Sequence, residues 1–456
     1  MPRVVVVSPP FRSHAAPLSV LGAALREEGA EVTLACAPAF ADLADRHGLG
    51  FAELTVTRNA NTGVAERTVQ AGSESARLRE FLDATRDGAI PTLLTQARHR
   101  AADMLPDPDL VLEAVRATDR RLAPDWYLVD QLSYPVTLAM HCLELPYATF
   151  CPGHPSYLPT RPNAYFGLPW AWPAALRPPL EDIEVLRTAA EDNDRAFTAA
   201  FREVADRHAP HLPEVERAFA LCSSRAVVFN YPRLPDLPAA PAGPAAIYAG
   251  HCTETLPRPG LDETWQAVVA RLASGGRPVV LVAFGTFLSA RHDVLTAVAE
   301  AVLTHTDASV IVAAGDRVPE LSRSPVLAAA SPARLHLADT VPQQALLGHC
   351  AAMVHHGGNN SFTECLAAGV PALVLPFSSD QFAIAHDVER SGLGLVLDPN
   401  GASVVTIGTA LAHLLTGGLE SNRTVAEDVL AAGPRNSARR LLGVMDDRPR
   451  RPRSVS

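Results

Sequence analysis

The chain has 456 residues, 48% of them apolar and 19% charged, and carries a formal net charge of −10. That length accommodates two domains with a core each, the acidity argues against nucleic acid as the main partner, and no apolar run approaches the ~20 residues of a membrane-spanning helix. All 39 basic residues are Arg, which removes Schiff-base chemistry and a Walker-type phosphate loop, since both need Lys.

The seven Cys are scattered and odd in number, without a Cys-x-x-Cys. They read as small buried residues of a reducing cytoplasm. Residues 4–8, four Val and a Ser, predict a buried strand, and Met1-Pro-Arg3 ahead of them lacks a secretory layout. Residues 9–14 form the loop after it, 18–28 carry Leu at helical spacing, and 31–35 predict the next strand. This first βαβ unit leaves His14 at the carboxyl edge of its opening strand, where open α/β sheets bind ligands. Residues 58–74 are polar and irregular and predict a long loop. Residues 78–104 predict helices broken at Gly88 and Pro91. Asp107-Pro-Asp109 and Asp192-Asn-Asp194 spell a metal-holding Asp-x-Asp, but sit in a turn between helices and on a helix, and read as structural.

Pro124-Asp-Trp-Tyr-Leu-Val-Asp130 predicts a strand ending in an acid, a position where Asp most often caps a following helix. Residues 152–179 mix Pro with Tyr157, Tyr165, Phe166, Trp170 and Trp172, and 181–219 are mostly helical. A proline-rich stretch over 231–260 predicts the linker between domain 1–230 and domain 261–433. The second domain opens with a strand over 279–284, closed by Gly285-Thr286, and continues with strands over 309–314 and 334–337. Residues 434–445 predict a terminal helix, and the Arg- and Pro-rich 446–456 are too polar to pack.

The richest stretch is His355-His-Gly-Gly-Asn-Asn-Ser-Phe-Thr-Glu364, followed by Gly369-Val-Pro371, an apolar strand and Asp380-Gln381. It predicts a strand over 351–355, a glycine turn, a helix over 361–368 and a second strand over 372–375. The unpaired N–H groups at that helix start suit an anion, and His356 adds a side-chain donor. Ser361-x-x-Glu364 also reads as a capping box.

The order of that run resembles the donor-binding signature of family 1 nucleotide-sugar glycosyltransferases, and Ser13-His-Ala-Ala-Pro17 is similar to the family's Gly-His-x-x-Pro. The resemblance implies an α/β chain of GT-B fold, two Rossmann-like domains facing across a cleft, with the terminal helix crossing back to the first. It implies His14 as general base and Asp130 as its orienting acid. The donor diphosphate would be held by His356, Gly358, Asn360, Ser361, Gly285 and Thr286, and the ribose by Glu364. The sugar hydroxyls would fall to Asp380 and Gln381. Thr340 stands where the family has a Trp, so the base would fall to Val341 and Gln343. The implied reaction is inverting transfer from a UDP- or dTDP-sugar to a small-molecule acceptor, with no metal and no cofactor beyond the nucleotide sugar, and it leaves room for a homodimer. The setting would be antibiotic biosynthesis or, equally by sequence, inactivation of an antibiotic or xenobiotic. A GT-B sugar-nucleotide epimerase and a catalytically silent GT-B binding protein stand as the other readings.

Overall fold

Runs of Val, Leu and Ala that do not alternate with polar residues cannot face water on one side, so they become strands covered on both faces. The computed structural model describes residues 1–57, 72–252, 260–285, 288–417 and 420–446. Its first sheet takes β1 (Arg3–Val7), β2 (Glu31–Cys36), β3 (Gly50–Glu53), β4 (Trp126–Asp130), β5 (Tyr147–Cys151), β6 (Ala226–Phe229) and β7 (Ala245–Tyr248). They run parallel in the order β3-β2-β1-β4-β5-β6-β7. The second sheet takes β8 (Val279–Ala283), β9 (Ser309–Ala313), β10 (Leu335–Ala338), β11 (Ala352–His355), β12 (Ala372–Val374) and β13 (Gly394–Val396). It is parallel too, in the order β10-β9-β8-β11-β12-β13.

Each sheet reverses its winding once, between β1 and β4 and between β8 and β11. At such a switch point the loops leaving adjacent strands diverge and open a crevice. His14 and Asp130 come from one switch point, and Gly285 and His356 from the other. Both sequence-predicted constellations therefore have the same topological origin.

Four expectations are corrected. The first helix spans Arg12–Glu27, so His14 lies in its first turn and not in a loop. The helices over 72–104 break at Gly88 alone, because Pro91 falls in the first turn of Ala89–Met104, where an amide hydrogen has no helical partner anyway. The stretch 231–260 is not wholly linker: β7 lies within it and completes the first sheet. Residues 72–74 belong to the helix Gly72–Asp87, while the remainder of the loop expected over 58–74 lies outside the described residues, as do Thr286 and the tail beyond Asp446.

The terminal helix Pro434–Asp446 packs on the first domain. Ala438, Leu441 and Met445 join the core built on β1 and β4, and Arg435 and Arg439 both reach Glu28. A second core spans the halves directly, with Cys151, Phe229 and Tyr231 packed against Phe362, Leu366 and Ile384. Buried polar bonds cross the same seam. Asn359 Nδ2 donates to the carbonyls of Pro152 and Asn230, at 2.8 and 2.7 Å. The carbonyl of Thr85 accepts from Arg291 and Asn400.

At the centre of the seam His154, fully buried, bonds Asp387 through Nε2 at 3.1 Å, and Tyr231 donates to the same carboxylate oxygen at 2.8 Å. Burial pushes the Asp387 carboxyl up, but hydrogen bonds from His154, His386 and Tyr231 outweigh it and hold the group below the usual carboxylate range. Asp387→Ala strands two buried partners and is expected to cost roughly 2–5 kcal/mol in urea unfolding. Asp236→Ala, which removes an exposed partner of Arg390, should cost under about 1 kcal/mol. Equal costs would show that the buried cluster does not hold the seam.

Candidate active site

Pro17 sits inside the first helix and has no amide hydrogen, so the carbonyl of Ser13, four residues earlier, has no helical partner. That carbonyl accepts instead from Asn360 Nδ2 of the second domain, at 3.0 Å. One residue on, His14 Nδ1 meets Asp130 Oδ2 at 3.0 Å, with the His side chain 16% exposed and the Asp fully buried. A carboxylate only accepts, so Nδ1 carries the proton, and in the neutral ring Nε2 is the acceptor. The other oxygen of Asp130 accepts from the amide of Leu132, which fixes the turn after β4. Asp130 thus anchors its turn with one oxygen and meets His14 with the other.

Facing this pair is the start of the helix Asn359–Ala368. Its cap is Gly358, which offers no side-chain bond, and the first amide inside the helix to find a carbonyl is that of Phe362, on Gly358. The N–H groups of Asn359, Asn360 and Ser361 are left open at the positive end of the helix dipole. The helix begins two residues earlier than the sequence suggested, so Ser361 is not its cap and the capping box does not form. Ser361 instead accepts from Gln343 at 3.2 Å, and Glu364 takes Gln343 on one oxygen at 2.6 Å and Gln344 on the other at 3.1 Å. Val341, half-buried, packs into the core beneath these residues.

The ring of His356 fills the gap between the two switch-point loops. A Cβ on Gly358 would lie 2.3 Å from its Nε2, and one on Gly285, whose φ is +68°, would lie 2.8 Å from its Cε1. Glycine is required at both places because this ring occupies the space. Nδ1 of His356 is enclosed without a partner among the described residues, and burial pulls the ring's pKa down to about 4. His355 accepts the Gly357 amide on Nδ1, and burial, with the neighbouring His356, lowers it to about 3.

Asp380 and Gln381 part company in the structure. Asp380 faces the first domain, where its Oδ2 accepts the His154 amide at 2.9 Å. Burial raises its pKa, opposed by that bond and by the Tyr157 hydroxyl. Gln381 is 8% exposed, and its amide closes its own loop, accepting from Phe377 and Ser378 and donating to Ser378 Oγ. Its side chain thus braces the loop that carries Asp380.

Sequence reasoning missed three residues at this site. Gln131 is 1% exposed and donates to the Tyr157 carbonyl; its place directly after Asp130 was the available signal. Gln344 and His154 had none, since each acts on a residue far off in the chain. In the Asp-x-Asp runs, read as structural, three of the four acids sit in ion pairs: Asp109 with Arg207 and His208, Asp192 with Arg195, Asp194 with Arg217.

Residues 297–441 match the family described as erythromycin biosynthesis protein CIII-like, C-terminal domain. The chain is similar to the sterol 3-beta-glucosyltransferase of Aspergillus fumigatus, 32% identical over 140 residues, which are 30% of this chain and 10% of that protein. It is 30% identical over 142 residues to the NDP-glycosyltransferase YjiC of Bacillus licheniformis, 31% of this chain and 34% of that one. It is 33% identical over 132 residues to the elloramycin glycosyltransferase ElmGT of Streptomyces olivaceus, 28% of this chain and 33% of that one. The matched segment therefore spans between a tenth and a third of these relatives. Among solved structures, the glycotransferase of kitacinnamycin superposes with a TM-score of 0.67 at 20% identity, covering 97% of this chain and 99% of that one. Glycosyltransferase VinC in complex with dTDP superposes with a TM-score of 0.64 at 20% identity, covering 98% and 100%. The chain has the GT-B fold.

The two depressed histidines make acid stability a test of this geometry. Each ring binds its proton more weakly folded than unfolded, where the pKa is about 6.5. Stability is therefore expected to fall as pH drops below about 6.5, by about 2 kcal/mol per ring between pH 7 and pH 5. His356→Gln should flatten that slope in urea unfolding; an unchanged slope would mean the ring titrates normally.

Proposed function

We propose that this chain, built on the GT-B fold, transfers a sugar from a UDP- or dTDP-sugar to a hydroxyl or amine of a small-molecule acceptor, with inversion of the anomeric carbon. Of its relatives, one is named for elloramycin and a structural neighbour for kitacinnamycin, which favours a natural-product acceptor and a biosynthetic role. The observation that carries the reading is the bond from Asn360 to the Ser13 carbonyl, which supports a base and an anion cradle sharing one crevice.

In the proposed step the acceptor oxygen forms a bond to the anomeric carbon as the bond from that carbon to the diphosphate breaks. His14 Nε2 takes the acceptor proton, and Asp130 stabilises the imidazolium that results. The leaving diphosphate takes the bonding pair, and its charge meets the open amides of residues 359–361 and the His356 ring. These donors serve the negative charge without a metal and with no cofactor beyond the nucleotide sugar. Glu364 would take ribose hydroxyls by exchanging them for the amides of Gln343 and Gln344, with Val341 against the base. Asp380 would take a sugar hydroxyl in place of the His154 amide.

His14→Ala is expected to lower turnover by roughly 10²–10⁴-fold while binding of the free nucleoside diphosphate, measured by calorimetry, is retained. Turnover equal to that of the parent protein, with any donor and acceptor pair that reacts, would remove His14 from the chemistry. A diphosphate beside His356 should also raise the pKa of that ring from about 4, so binding takes up a proton. Affinity for UDP or dTDP should then rise from pH 8 to pH 6 more steeply in the parent protein than in His356→Gln. Parallel pH profiles would count against the diphosphate site.

A further inference from the structure

Arg100 is 6% exposed, yet among the described residues no carboxylate forms a salt bridge with it. Its guanidinium makes one hydrogen bond, Nη1 to the Phe166 carbonyl at 3.1 Å, and lies 5.0 Å above the Phe166 ring. A ring face and a neutral carbonyl offset only part of the cost of taking a full positive charge out of water. Burial lowers its pKa to about 10, so it stays charged at neutral pH. The nearest acid on its helix, Asp103, is already bonded to Arg77 at 2.7 Å. Among the described residues the wholly enclosed unpaired arginine nitrogens include those of Arg277 and Arg334 but none of Arg100, whose guanidinium packs against the turn at Gly167.

Its position gives this charge a use. One turn earlier on the same helix, Gln96 exchanges two hydrogen bonds with Ser379, at 2.9 and 3.2 Å, beside Asp380. Arg100 follows four residues on, about 6 Å along the helix axis and on the same face as Gln96. The Phe166 ring under Arg100 packs 5.3 Å from that of Tyr157, whose hydroxyl bonds Asp380 and whose carbonyl accepts from Gln131, the residue after Asp130. Arg100 is thus joined through Phe166 and Tyr157 to the group of side chains that holds Asp130 and Asp380.

We infer that Arg100 is a specificity-determining residue for the acceptor, and that the acceptor carries an oxyanion, a carboxylate or an ionised phenol or enol, which pairs with this guanidinium. The inference rests on the cleft being the transfer site proposed above. A charge-assisted, two-pronged pairing from a planar guanidinium suits such a group and gives little to its neutral isostere.

The probes are 2-naphthoate and 2-naphthamide, matched in shape and differing in charge, titrated calorimetrically into the full chain saturated with UDP or dTDP. Naphthoate is expected to bind at least about tenfold more tightly, the loss of one hydrogen bond to a charged group. Arg100→Gln, which can still donate to Phe166, should bring the two within about threefold, and Arg98→Gln, an exposed neighbour paired with Glu80, should leave the tenfold ratio intact. No naphthoate binding, no discrimination by the parent protein, or discrimination that survives Arg100→Gln overturns the inference and leaves Arg100 as a brace for the turn at Gly167. The transfer reading fails separately: discrimination lost in Arg100→Gln, with neither nucleotide bound and no donor consumed, would keep the anion site and remove the glycosyltransferase. A thermal melt of Arg100→Gln within a few degrees of the parent confirms that the comparison is between folded proteins.

Discussion

A proline without an amide hydrogen is what ties the two halves of this chain together at the site. Pro17 cannot complete the helical bond to Ser13, and a backbone carbonyl near the cleft must find another donor. The donor comes from Asn360, in the first turn of the helix that offers its open amides to an anion. His14 lies between Ser13 and Pro17, so the same irregularity that frees the carbonyl also sets the proposed base opposite the proposed cradle. Glycine does the complementary work on the other side, where any side chain at 285 or 358 would collide with the His356 ring.

The seam around that contact is unusually polar for a buried surface. Asn359, Thr363, His154, Asp387 and Tyr231 are all buried and hydrogen-bonded, mostly to the opposite domain. An apolar seam would hold at many relative positions of the halves, whereas each of these bonds holds at one. Leaving a buried donor unmet costs roughly 1–3 kcal/mol, so a sliding displacement that breaks several together is steeply opposed. Asp380 is part of this system, because the His154 whose ring bonds Asp387 gives its backbone amide to Asp380. A ligand that took the same oxygen of that carboxylate would compete with the domain contact itself.

Much of this was legible from the residues in order. Continuous apolar runs separated by helical periods give strands of a parallel sheet, and Gly-Gly after β11 followed by Asn-Asn-Ser gives a strand-to-helix turn with open amides. His14 and Asp130 each stood at the end of a predicted strand, which is enough to place them at a sheet edge. Their errors were local. Helix starts were misjudged by two residues at 359 and six at 12, because caps there are made by Gly358 and Phe11, neither of which advertises itself as a cap.

Side-chain allegiance was settled elsewhere. Gln381 looks like a ligand contact beside Asp380, yet its amide has three partners within five residues, and only the folded loop shows that they are used. Glu364 looks like a cap or a free carboxylate, and two glutamines twenty residues earlier hold it. Whether a polar group is available depends on distances between segments that the chain order does not encode. Periodicity and turn chemistry are local, and they determined the strands, the sheet edges and the two constellations. Partnership across the seam is a property of packing, and it alone decided which of those residues remain open to a ligand.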